Sequence, residues 1–196
     1  MIKHPETRTP VALYVDPERG PYPRILGSAR CWGVDRDGQT YDGDAPVVAH
    51  PPCKTWGKFA WRVAELDWAG HACGPAAVAQ VRRNGGVLEH PVGSKLWREC
   101  GMPMPGDPPD EHGGYTIRVN QVDWGHPAIK PTWLYIVGVE RDALPPMPPP
   151  RQPTHCIVRK RSNPHQLPEL SKKLRHITPP DFARWLVTIA SRATQP

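Results

Sequence analysis

Two apolar runs about one crossover apart constrain what this chain can become. The first, Val47-Val48-Ala49-His50-Pro51-Pro52-Cys53, ends in a proline pair that stops a strand and stiffens the loop after it. The second, Gly85-Gly86-Val87-Leu88-Glu89-His90-Pro91, starts on two glycines and ends in a carboxylate. Between them, from Phe59 to Arg83, Ala, Leu, Trp and Val recur at three- and four-residue spacings, the period of a helix. Gly70 or Gly74-Pro75 is expected to interrupt that helix. Strand, helix and strand with a long crossover predict a βαβ unit, and therefore a parallel sheet with its functional loops at the C-terminal strand ends.

Further strands are expected at Val11–Val15, Cys31–Val34, Tyr115–Val119 and Trp133–Val139, with a short helix over Ser94–Cys100. Met102–Gly114 is predicted to be a loop. Asp181–Ala193 is predicted to be a helix, with Phe182, Trp185, Leu186 and Ile189 on one face and Pro179-Pro180 where a first turn tolerates them. The expected fold is α/β, a mostly parallel sheet of reduced Rossmann-like form, rich in loops because 27 of the 196 residues are Pro. Residues 1–139 form the expected core. Residues 140–174 form a Pro-rich basic insert opened by the extended spacer Leu144–Pro153, and residues 175–196 return to the core as a helix. A hydrophobic share of 38 % suffices for one core at this length.

Lys and Arg outnumber Asp and Glu by 25 to 19, which favours polyanionic partners. The positives gather late, as Arg159-Lys160-Arg161 and Lys172-Lys173 with Arg175, a footprint suited to DNA phosphates. A solvated basic loop explains that footprint about as well. Five cysteines without a CxxC pair argue against a disulfide framework, and no zinc or calcium spacing is present, so no metal is expected. Without an apolar leader or a run near ~20 residues, a cytoplasmic protein is expected.

Cys53 on a rigid loop and Glu89 on the neighbouring strand end are what covalent attack on a pyrimidine requires. A thiolate adds to carbon 6, carbon 5 becomes nucleophilic, and a carboxyl group stabilises the charge at ring nitrogen 3. A buried structural cysteine is the competing explanation for Cys53 alone. Together Pro51-Pro52-Cys53, Glu89-His90-Pro91, Asp123-Trp124-Gly125-His126-Pro127 with Leu134–Gly138, and Arg175–Leu186 resemble, in order, four segments of the DNA cytosine-C5 methyltransferase family. The family's counterparts are Pro-Pro-Cys, Glu-Asn-Val, an Asp-aromatic-Gly-x-Pro turn before Ile-Val-Gly, and Arg-x-Leu-Thr-Pro-x-Glu. The resemblance implies modification of cytosine in DNA at carbon 5, with Cys53 as nucleophile and Glu89 at nitrogen 3. His50, His90 and Lys130 become candidates for proton handling or phosphate contact.

It also implies AdoMet as donor. Where the family has Phe-x-Gly-x-Gly, however, this chain has Val15-Asp16-Pro17-Glu18-Arg19-Gly20-Pro21-Tyr22. AdoMet would then be held by Asp16, Gly20 and Tyr22, with Asp35 as a remnant ribose acid. Another one-carbon donor, a folate or an aldehyde, suits the missing glycines better. The family's Gln-x-Arg-x-Arg is missing and Lys130 supplies the only cation there; the trimmed size implies a phage or mobile-element gene. Two other functions fit parts of the pattern: a non-catalytic DNA-binding module derived from a methyltransferase, and an enzyme acting on free pyrimidine nucleotides.

Overall fold

The computed structural model describes residues 8–33, 36–57, 60, 67–158 and 167–195. Six strands form one sheet: β1 Val11–Leu13, β2 Cys31–Trp32, β3 Val47–Ala49, β4 Gly86–Pro91, β5 Tyr115–Asn120 and β6 Pro131–Val137. Their order is β2-β1-β3-β4-β6-β5. The pairs β1–β2, β1–β3 and β3–β4 are parallel, while β6 runs antiparallel to both of its neighbours. The protein is therefore α/β with a mixed, mostly parallel sheet, compatible with a Rossmann-like core. Among the described residues no helix is long and apolar enough to cross a membrane.

Side chains alternate across the pleat, so each strand feeds two cores. Val11, Leu13, Val47, Ala49, Leu88 and Tyr135 face helix α2, Trp68–Asn84, where they meet Ala77, Val78 and Val81. Ala12, Val48, Val87, Leu134 and Ile136 face the opposite side and meet Phe182, Leu186 and Ile189. Those three belong to the last helix, Pro180–Ser191. Trp124 packs between Phe182 and Trp185, at centroid distances of 5.1 and 4.8 Å. This aromatic cluster takes the place of the larger aliphatic core that the chain lacks.

Helix α2 runs without the break expected at Gly70 or Gly74-Pro75. Pro75 has no N–H for the carbonyl of His71, four residues back. Trp56 Nε1–H donates to that carbonyl instead, at 3.0 Å, so the proline leaves no orphaned acceptor. Gly74 makes this possible, because a Cβ there would lie 2.7 Å from Trp56 Nε1. The helix starts where Asp67 Oδ1 accepts from Gly70 N at 2.9 Å. The expected helical segment before Asp67 lies outside the described residues, apart from Ala60.

The proline-dense stretch Leu144–Pro153 forms no helix or strand and is fastened at both ends. Trp185 Nε1 donates to the carbonyl of Pro145 at 3.1 Å, and Arg151 N donates to Asp123 Oδ1 at 3.0 Å. Beyond it, single bridges join Ala128 to His155 and Cys156 to Glu169. The final helix begins one residue earlier and ends two residues earlier than its periodicity predicts.

Gly74→Ala tests the α2 argument. Helix propensity favours Ala over Gly by about 1 kcal/mol. The clash with buried Trp56 and Leu96 opposes it and costs about 1–3 kcal/mol. The expected net effect is a lower urea midpoint with an unchanged m-value; a raised midpoint would show that the Trp56 contact does not constrain the helix.

Candidate active site

Parallel pairing of β3 with β4 sets the site. Ala49 is in register with Leu88, so the residues that follow, His50 and Glu89, come side by side at the C-terminal edge. His50 Nδ1–H donates to Glu89 Oε2 at 2.9 Å. The other carboxylate oxygen, Oε1, accepts from Gln121 Nε2 at 2.9 Å, and the same amide reaches Thr132 Oγ1 at 3.0 Å. His50 Nε2 pairs with the hydroxyl of Tyr22 at 2.5 Å. A relay Tyr22–His50–Glu89–Gln121 thus crosses the site.

After His50 the prolines turn the chain away from the sheet. The carbonyl of Cys53 then accepts from Gly57 N at 2.8 Å and from Trp56 N at 3.2 Å, closing a tight turn around the thiol. His90, the next residue after Glu89, points inward. Its Nδ1 pairs with Ser94 Oγ at 2.7 Å, its ring stacks near Trp97, and its Nε2 has no hydrogen-bond partner. It braces the core beneath the Pro51-Pro52 loop rather than facing solvent. Lys130 Nζ donates to the carbonyl of Ile177 at 3.3 Å.

Cys53, Glu89, His50, His90 and Lys130 all line one cavity of about 780 Å³. Asp16, Gly20 and Tyr22 line it as well, and so do Lys173 and Arg175 from the C-terminal segment. A second cavity of about 640 Å³ adjoins it, shares Tyr14, Asp16 and Pro52, and adds Glu18, Asp37 and Cys73. Both lie between β1 and β3, where the order of the sheet reverses, the place where open α/β sheets bind ligands. The chain leaves β1 through Tyr14, a non-glycine residue at φ 61°. That left-handed turn is held by Tyr14 Oη–H donating to Gln80 Oε1 at 2.8 Å.

Electrostatics divide these groups. Burial, the largest influence on Glu89, opposes its ionisation. The hydrogen bond and field of His50, with the charge of Lys130, outweigh it and hold the carboxyl at about 2. Burial and the Glu89 charge push the Cys53 thiol up, although Lys130 draws it the other way. Burial lowers Lys130, opposed by Glu89 and Cys53. Burial, then Glu89, raises Tyr22 well above the usual phenol range, so it remains a phenol whichever way its bond to His50 runs. The result is a thiol held protonated and an ionised, fixed carboxylate lining the same cavity.

The structure brings ten of the residues singled out in the sequence around this one cavity. Lys172 lies in the short helix α4, Lys172–Arg175 (with α1 at Tyr22–Leu26 and α3 at Leu96–Glu99), but does not line the cavity. Asp35, Arg159, Lys160 and Arg161 fall outside the described residues. Gln121 and Thr132 carried no signal, since neither belongs to a motif and Gln121 is 32 residues from its partner Glu89. Tyr22 was expected at a cofactor, and its hydroxyl instead completes the relay. Comparison of the chain with protein-family models, curated proteins and solved structures finds no match.

Burial depresses His90 from 6.5 to about 4, against the pull of Glu89 and the Pro51 and Pro52 backbone. The unfolded chain therefore binds a proton between pH 6.5 and 4 that the folded chain refuses, and stability falls as pH drops through that window. The expected loss is about 3 kcal/mol. His90→Asn, which keeps a polar atom near Ser94, should remove most of the slope in urea titrations from pH 7 to 4. The remaining slope belongs to His126, which burial also holds low, and towards pH 4 to Glu89, whose folded value lies well below its unfolded one.

Proposed function

We propose that the chain modifies a pyrimidine at carbon 5, with cytosine in DNA as the substrate and Cys53 as the nucleophile. One observation carries this: a thiol and an ionised, doubly hydrogen-bonded carboxylate open into a single cavity from adjacent parallel strand ends. The resemblance to the cytosine-C5 methyltransferases rests on the same two residues and supports the same chemistry.

In the proposed reaction the sulfur of Cys53 bonds to carbon 6 and the S–H bond breaks. The carbon 5–carbon 6 π pair shifts through carbon 4 towards nitrogen 3. Nitrogen 3 takes up the released proton next to Glu89, whose carboxylate stabilises the protonated ring. Carbon 5 is now an enamine carbon and attacks the electrophilic carbon of a donor, whose leaving group departs with the electron pair of the broken bond. Solvent water takes the carbon 5 proton, the freed pair forms the carbon 5–carbon 6 double bond and expels the sulfur as thiolate, and the proton from nitrogen 3 returns to the sulfur to regenerate the thiol. His50, Tyr22 and Gln121 fix the carboxylate so that it meets the ring without rearranging.

The adjoining cavity is the proposed place of the donor. Its carboxylates Asp16, Glu18 and Asp37 outnumber its one cation, Arg19, and with the ring of Tyr14 suit a cationic donor; its volume suits a small molecule. AdoMet has that charge and would supply a methyl group. Asp16, Asp37 and Tyr14 would hold it, in place of the glycine loop that the chain lacks.

Covalent trapping tests the proposal. With DNA containing 5-fluorocytosine and AdoMet, wild type is expected to give an adduct at Cys53 that is heavier by one methyl group, detected by intact mass. Cys53→Ser should give none, and Glu89→Gln should slow trapping by roughly 10²–10⁴-fold. Full modifying activity in Cys53→Ser would overturn the mechanism.

A further inference from the structure

A duplex presents its bases stacked and paired, whereas the Cys53 thiol lies inside a cavity. Chemistry on a base at such a thiol requires the nucleotide to leave the stack, and the gap it leaves must be filled. Something beside the cavity mouth has to be apolar, exposed and rigid. Two exposed aliphatic side chains stand at this position in the C-terminal segment. Leu174, in α4, is 42 % exposed and Ile177, three residues on, is 45 % exposed. Of the two, Ile177 lines the cavity itself.

Their surroundings point to the partner. Lys173, Arg175, His176, Ile177 and Thr178 line the cavity that holds Cys53. Among the residues lining that cavity the cations Arg19, Lys54, Lys130, Lys173 and Arg175 outnumber the carboxylates Asp16 and Glu89, and Arg175 is also ion-paired with Glu169 outside the lining. This charge complements a phosphate backbone. The backbone at Ile177 is also fixed. Lys130 Nζ holds its carbonyl at 3.3 Å, its N–H bonds the Leu174 carbonyl at 3.4 Å, and Pro179 and Pro180 follow after Thr178. Arg175 is itself braced, its Nε donating to the Leu170 carbonyl at 3.0 Å.

We propose that residues 173–178 are the edge of this chain that meets duplex DNA, with Ile177 entering the base stack and Lys173 holding the backbone beside it. The inference rests on the cavity accepting a pyrimidine, as set out above. It adds the element that opens the duplex, in a chain whose insert is too short for a separate recognition domain. Ile177 acts as a positioning residue: it touches neighbouring bases, not the reacting ring. Apolar side chains of this kind wedge base steps apart in other DNA-bending and base-extruding proteins.

Three probes test the edge without any chemistry at the thiol: a short paired duplex, the same duplex with one C·A mismatch, and the cytosine-bearing strand alone. Binding is measured by fluorescence anisotropy at fixed salt, using the Cys53→Ser protein as background. A mismatch makes extrusion cheaper and a single strand makes it unnecessary. Ile177→Ala is therefore expected to lose roughly tenfold in affinity for the paired duplex, less for the mismatch and nothing for the single strand. Lys173→Ala should weaken all three alike and flatten their salt dependence. Equal losses on all three probes for Ile177→Ala, or no loss on any, would overturn the wedge. Failure of the background protein to bind any probe would overturn the surface as a nucleic-acid edge.

The two proposals fail separately. Selective loss in Ile177→Ala without an adduct at Cys53 in wild type would leave the surface standing and remove the chemistry. An adduct on free nucleotide or single strand, with Ile177→Ala indifferent on the duplex, would keep the chemistry and remove the surface.

Discussion

The close approach of β4 to β3 at Gly86 is the constraint on which the rest of the structure depends. Gly86 has φ 125°, and a Cβ there would fall 2.1 Å from the carbonyl oxygen of Val47. No side chain fits, and few residues other than glycine adopt that backbone. Because the two strands can pair from Val47–Gly86 onward, Ala49 comes level with Leu88 and His50 level with Glu89. A register slip of one residue would turn Glu89 to the opposite face, into one of the two cores. The glycine at the start of the strand thus decides where the carboxylate stands at its end.

The carboxylate in turn bears on the state of the thiol. Buried carboxyl groups ordinarily become harder to ionise, and Glu89 goes the other way because the hydrogen bond and field of His50, with the charge of Lys130, outweigh burial. Burial pushes the Cys53 thiol up, and the Glu89 charge adds to it, against Lys130. His50 cannot relieve this, since both of its ring nitrogens are already paired, with Glu89 and Tyr22. A site so arranged does not hold a standing thiolate. A thiol kept protonated in this way is less open to oxidation than a thiolate.

Much of this was legible in the sequence, for a physical reason. Strand-end chemistry is local: an apolar run, a proline pair and a cysteine specify a thiol on a stiff loop wherever the chain goes next, and two glycines before Val87 announce a tight strand start. The partners of Glu89 are not local. Gln121 reaches it only because β6 is paired between β4 and β5, a choice made by side-chain packing across the whole sheet. Pro75 misled for the same reason. Its effect on a helix depends on whether another donor satisfies the vacant carbonyl, and the donor is Trp56, nineteen positions earlier. Tyr22 lines the same cavity as Cys53 and Glu89, and its bond to His50 was hidden, because a phenol in a turn looks the same whether it meets a ligand or a histidine.

The one antiparallel strand has a consequence for how small such a site can be. In a wholly parallel sheet each further strand end at the functional edge requires another crossover of a dozen residues or more. Here β5 ends at Asn120 on that edge, and β6 begins there at Pro131 and runs back. The connection between them therefore lies entirely at the edge and delivers Gln121 and Lys130, with Thr132 in the first turn of β6, against Glu89. The hydrogen bond from Gln121 N to the Lys130 carbonyl, at 3.1 Å, closes the loop on itself. Lys130 also grips Ile177, and so joins the C-terminal segment to the same carboxylate that β3 and β4 assemble. Reversing a single strand thus supplies three site residues and an anchor for the outer edge, which allows a chain of 196 residues to complete the site without further strands.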